Sequence, residues 1–105
     1  MKLYKVDYAP EARDQLLGLF LYIADAAGSD YNAAMFVDSI TRFCDSFERF
    51  PKRGDMRDDI RPGLRITNFD GNTVIAFSVD DAAERVDILG VFYGGQNYAQ
   101  HLMAR

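Results

Sequence analysis

The sequence predicts an α+β domain: a helical hairpin packed on one face of a twisted, largely antiparallel sheet, ordered β-α-α-β-β-β with a short C-terminal helix. Three observations predict it. Apolar residues recur at three- and four-residue steps between Ala12 and Phe47, and at two-residue steps after Leu64. Asp70-Gly71 separates two alternating runs, and a tight hairpin loop needs the positive φ angles that this pair tolerates. The composition, 49% hydrophobic and 13% aromatic, supplies one core and excludes a disordered chain. At 105 residues the chain, 1–105, is a single domain without linker or internal repeat.

Each element has a local reason. Tyr4, Val6 and Tyr8 alternate with Lys5 and Asp7, the pattern of a half-buried strand. Pro10 suits the first turn of a helix, where its missing N–H costs nothing, and Glu11 favours the positive helix end. Ala12, Leu16, Leu19, Phe20, Ile23 and Ala27 then form one apolar face, with Leu17 and Leu21 widening it on the flank. Gly28 ends this helix, because glycine adopts the left-handed conformation readily. Ser29 or Asp30 caps a second helix. Its stripe runs Ala33, Phe36, Val37, Ile40, Phe43, Cys44 and Phe47, and Phe50-Pro51 is expected to close it. The very short connection makes the pair an antiparallel hairpin.

Past residue 63 the period becomes two. Leu64 and Ile66 oppose Arg65 and Thr67; Thr73, Ile75, Phe77 and Val79 alternate with Val74, Ala76 and Ser78. The run Val86–Tyr93 is almost continuously apolar, as a central strand covered on both faces would be. Gly94-Gly95 breaks it, and Asn97–Met103 fits a terminal helix.

Several function classes drop out. A lone Cys44, set in an apolar stripe, permits no internal disulfide and reads as core; with one histidine it makes no zinc set. The longest apolar stretch, Leu16–Ala24, is about half of what a bilayer crossing needs. The first residues contain no apolar signal core, so the cytoplasm is the expected compartment. No phosphate-cradling glycine loop or metal motif occurs, and no cofactor is expected. The net charge of −4 disfavours specific DNA binding by the chain alone. That total hides a basic stretch from Arg49 to Arg65, with six cations against three aspartates. Such a stretch is either a self-paired solvated loop or a patch for an acidic partner.

Chemistry is sparse. The single histidine, His101, stands close to the C-terminal end of the sequence. Arg65, Arg85, Tyr93 and Tyr98 sit on or beside the sheet, and arginine binds anions well but is a poor general base. These residues suit binding more than catalysis.

At this point the chain resembles the ParE branch of the RelE/ParE toxin superfamily. Tyr8–Leu16 looks like the family's entry into the first helix, and Tyr22-Ile23-Ala24 like a triplet within it. Phe50-Pro51-Lys52-Arg53-Gly54, Arg57–Arg65 and Ile88–Tyr98 resemble three further family segments in the same order. The resemblance implies a type II toxin that poisons DNA gyrase, arrests growth, performs no catalysis and forms a hetero-oligomer with a ParD-like antitoxin. It places Arg61, Arg65, Arg85, Tyr93 and Tyr98 toward the target. Leu17 and Leu21 offer an apolar groove for an antitoxin helix, and Lys52, Arg53 and Arg57 meet its acidic segment. Two other readings remain open. A RelE-like, ribosome-dependent mRNA endonuclease would use Arg61, Arg65, Arg85 and Tyr93 on RNA, with His101 added. An inactive relative would merely bind antitoxin.

Overall fold

The computed structural model describes residues 2–103. Strand β1 (Lys5–Tyr8) leads through Ala9 into helix α1 (Pro10–Ala27), with proline in the first turn. Gly28, at φ 65°, ends α1 in the left-handed conformation. Ser29, rather than Asp30, caps helix α2 (Asp30–Asp45): its side chain accepts the Asn32 N–H. The expected stop at Phe50-Pro51 comes too late. Helix α2 ends at Asp45 and tightens into a 3-10 turn at Ser46–Glu48, where the Ser46 hydroxyl donates to the Phe43 carbonyl at 2.6 Å. A hydroxyl that competes for a helix carbonyl favours such an ending. The tightened turn buries Phe47 completely.

The sheet has five strands in the order β1-β5-β4-β3-β2. Strands β3 (Arg65–Phe69), β4 (Thr73–Asp80) and β5 (Arg85–Tyr93) form an antiparallel meander, and β1 joins β5 in parallel. The β3–β4 turn is at Asp70-Gly71, with φ 55° and 80°, as the hairpin pair predicts. One strand was not foreseen. Asp55–Met56 forms β2, a two-residue edge on β3, and a side chain at Gly54 beside it would collide with the Ile66 carbonyl. Two residues carry no period to read.

Both faces of β5 are covered, by different means. On one side α1 and α2 pack on Ile75, Phe77, Val86, Ile88 and Val91, with Phe47, Ile40 and Cys44 between. On the other, Leu64, Ile66, Ala76 and Phe92 lie beneath helix α3 (Tyr98–Met103), whose Leu102 is buried among them. A register shift breaks the β4–β5 ladder: Phe77 pairs with Ile88 but Ala76 with Gly90, leaving Leu89 unpaired. This bulge keeps Ile88 and Val91 on the same, hairpin-facing side.

Candidate functional site

The outer surface of the helical hairpin is apolar beyond what the core uses. Leu17 and Leu21 are 59% and 58% exposed, and Tyr22, Tyr31 and Met35 are also exposed. The pairs Leu17/Leu21 and Tyr31/Met35 are each one helical turn apart, so they form ridges. Five large apolar side chains on one hairpin fit an interaction surface.

The basic stretch from Arg49 to Arg65 is engaged with its own chain. Lys52 Nζ lies 2.9 Å from Asp81, which also accepts from the Tyr4 hydroxyl at 2.7 Å. These two donors, Lys52 first, hold the Asp81 carboxyl below the usual carboxylate range. The Arg53 guanidinium stacks 4.5 Å from the Phe47 ring centre and 5.3 Å from that of Phe43, and burial pulls its pKa down. Arg57 forks onto Asp59 with two bonds of 3.0 Å and donates to the Tyr98 hydroxyl, also at 3.0 Å. That fork depresses the Asp59 pKa and raises that of Arg57. Arg61 donates to the Leu102 carbonyl in the last turn of α3 at 3.1 Å, and Arg65 to the Arg53 carbonyl at 3.2 Å. Self-pairing within the stretch holds for Arg57 with Asp59, whereas Lys52 pairs with Asp81 outside it and Arg53, Arg61 and Arg65 are held by aromatic rings and carbonyls.

The five residues expected to face a target do not converge. Arg65 stands opposite Phe77 on the hairpin side of the sheet. Tyr93 is on that side too, with its ring 5.6 Å from Phe36 and 6.4 Å from Tyr22. Arg61 and Tyr98 are on the other side, pinned to α3 and against Phe92. Arg85 starts β5 at its far end and pairs with Asp87 at 3.1 Å. Periodicity put Arg65, Arg85 and Tyr93 on the sheet, but it could not say that distant partners would claim Arg61, Arg65 and Tyr98.

Acid–base chemistry is equally scattered. His101 Nε2 lies 3.4 Å from Glu11 Oε2, and its ring meets Phe92 edge-on. Burial pushes the Cys44 thiol up to about 12, with the Asp45 charge adding to it, so the sulfur is no nucleophile. Tyr8 is raised for the same first reason, and its hydroxyl donates to Asp45 at 2.9 Å. Among the described residues no cluster of three His, Cys, Asp or Glu side chains could hold a metal, and no helix is long and apolar enough to cross a membrane.

One feature escaped sequence reasoning. A groove of about 440 Å³ opens between α1 and the end of β5, lined by Gln15, Gly18, Tyr22, Tyr93 and Gln96 among others. Two signals pointed there. Gln15 is a polar residue spaced with the buried Ala12 and Leu19, and Gly18 interrupts a helix at a cost of roughly 0.5–1 kcal/mol relative to alanine.

An α-hairpin on one face of a meander, with a short helix on the other, is an architecture shared with solved structures of toxin–antitoxin systems. The chain is 16% identical to a structure described as the chromosomal ParDE TA system from P. aeruginosa, with a TM-score of 0.74, covering 88% of this chain and 97% of that one. Against the toxin–antitoxin complex RelBE2 from Mycobacterium tuberculosis it is 20% identical, with a TM-score of 0.66, covering 91% and 97%. At these identities the likeness is one of fold. No curated protein matches. The family described as the ParE toxin of type II toxin–antitoxin system, parDE, matches residues 6–98. The chain belongs to this family: it is a ParE-type toxin of a type II toxin–antitoxin system.

Proposed function

We propose that this toxin acts in the cytoplasm by binding and poisoning DNA gyrase, without catalysing a reaction, and that a ParD-like antitoxin neutralises it. Family membership supports the reading, and one observation carries it. Arg61, Arg65 and Arg85 are divided among three places, each bonded to its own chain. An RNA-cleaving centre needs charge-stabilising and proton-transferring groups within reach of one phosphate. Surfaces, in contrast, tolerate dispersal.

The antitoxin-facing surface is the outer hairpin around Leu17 and Leu21, which fits the apolar face of an amphipathic helix. Lys52 adds a charge for an acidic segment, since an exposed ion pair such as Lys52–Asp81 exchanges partners at little cost. Arg53 and Arg57 join that contact only by giving up aromatic stacking or Tyr98. The target-facing residues are Arg65 and the strand exit at Tyr93 and Tyr98, with Arg61 and Arg85 flanking.

Inducible expression in bacteria tests the reading. Growth arrest should be accompanied by gyrase-linked double-strand breaks in recovered DNA, and co-expressed antitoxin should prevent both. Arrest with intact DNA and halted protein synthesis would overturn it in favour of mRNA cleavage. Normal growth at full toxin abundance would leave an inactive antitoxin-binding module.

A further inference from the structure

Strand β1 covers only Arg85–Ile88 of β5. Beyond the Leu89 bulge that edge has no strand beside it among the described residues, so its outward N–H groups need other acceptors. Val91 donates to Gln15 Oε1 at 2.7 Å, and Tyr93 to Gln96 Oε1 at 3.0 Å. The two bonds differ in what they hold. Gln96 stands three residues after Tyr93, so its bond closes a local turn. Gln15 belongs to α1, 76 residues away in sequence, and ties the end of β5 to the helical hairpin.

The seat for this carboxamide is built into both elements. On α1, Gln15 is spaced with the buried Ala12 and Leu19, where an apolar side chain would otherwise serve the core. On β5, a Cβ at Gly90 would lie 3.3 Å from Gln15 Oε1 and 2.6 Å from the Phe92 ring. Glycine leaves room for both. A buried N–H that loses its acceptor costs more than the bond itself contributes, so this single amide holds the strand end firmly.

Tyr93 follows two residues later and packs, like Val91, on the hairpin side. Its ring lies 5.6 Å from Phe36 on α2 and 6.4 Å from Tyr22, about two turns beyond Gln15 on α1. Val91 and Tyr93 are about 7 Å apart along the strand, so a displacement of one carries the other.

We propose that Gln15 is a positioning residue for the target-facing end of the sheet, an assignment that rests on Tyr93 facing the target as proposed above. By anchoring Val91 to α1, it sets where Tyr93 stands. Gln15 acts through β5 and makes no contact with the target itself. Loss of the anchor frees the strand end, while Arg85–Ile88, paired on both sides, stays closed.

The test compares Gln15→Met and Gln15→Glu with the parent in the full-length toxin. Methionine matches glutamine in length and helix preference but is a weak acceptor, whereas glutamate keeps a carbonyl-type oxygen at the same reach. Amide exchange is followed at Val91, and toxicity is read as the toxin abundance that halves bacterial growth rate. In Gln15→Met the Val91 amide should exchange about ten-fold faster or more, with Val86 and Ile88 keeping their protection. About ten-fold more toxin should then be needed for the same arrest. Gln15→Glu should restore both. Tyr93→Ala in the same assay serves as the reference. Weakened toxicity in Tyr93→Ala but not in Gln15→Met would leave the target face standing and overturn the role of Gln15. Equal impairment of the two Gln15 variants would also overturn it, because shape rather than the acceptor would then matter. Full toxicity of Tyr93→Ala, or a parent that arrests nothing, would overturn the target reading and the assignment with it.

Discussion

The two faces of the sheet are built on different principles. The hairpin side is a continuous aromatic and aliphatic core, where Phe43, Phe47, Phe69 and Phe77 make ring contacts at 4.7–5.3 Å between centres. The α3 side is smaller, and its six-residue helix is too short to hold itself. There, polar clamps supplement burial: Arg57 on Tyr98, Arg61 on the Leu102 carbonyl, and an internally bonded turn from Arg57 to Leu64. The difference explains how an acidic protein comes to carry a basic stretch. Three of the five arginines in that stretch, Arg57, Arg61 and Arg65, work as fasteners between segments distant in sequence.

Four perturbations should act unequally on the two faces. Phe47→Ala strikes the hairpin side at its fully buried centre and should cost about 3–5 kcal/mol in denaturant unfolding. That is a large part of the roughly 5–15 kcal/mol available to a domain of this kind. A loss below about 1 kcal/mol would mean that the core closes around the gap, unlike a close-packed one.

Alkaline pH should attack the same side. The Cys44 thiol is raised from 9.0 to about 12 in the fold, while the unfolded chain ionises at the lower value. Its stabilising contribution is therefore complete below pH 9 and is lost as pH climbs toward 12. The upper limit is about 1.4 kcal/mol per pH unit. Tyr8, raised above 10, acts with the same sign at higher pH. Unfolding midpoints measured across this range should fall steeply, and Cys44→Ala should flatten the part that begins at pH 9.

On the α3 side, Arg61→Ala removes one clamp and should cost about 1 kcal/mol. Its signature is regional: amides of α3 should exchange faster while those of β4 and β5 keep their protection. Uniform loss across the sheet would show that both faces unfold as one unit. The smallest effect on stability is expected from Arg65→Ala, whose bond to the Arg53 carbonyl ties only a loop. The fold should survive, yet toxicity at equal abundance should weaken. Full toxicity would remove Arg65 from the target-facing set.

The contrast also separates what could be read in the sequence from what could not. The hairpin, its Gly28 stop, the Asp70-Gly71 turn and the alternating faces of β4 all follow from local periodicity and turn chemistry. The early end of α2 at Asp45, the two-residue β2 and the Leu89 bulge do not, since each turns on one or two residues, too few to carry a period. For the candidate site the gap is wider. Leu17 and Leu21 were visible as surplus on an amphipathic helix, and they are exposed as expected. The arginines were visible only as charge. Tyr98, the Leu102 carbonyl and the Arg53 carbonyl, which engage Arg57, Arg61 and Arg65, lie 12 to 41 residues away, in contacts that no spacing rule encodes.

The most direct measurement incubates the purified toxin with gyrase and supercoiled plasmid, and in parallel with translating ribosomes and a reporter message mapped by primer extension. Linear plasmid released from trapped gyrase and an uncut message are the expected products. Codon-positioned cuts that disappear in Arg65→Ala, with supercoiling untouched, would contradict it and recast the dispersed arginines as parts of a nuclease assembled on the ribosome.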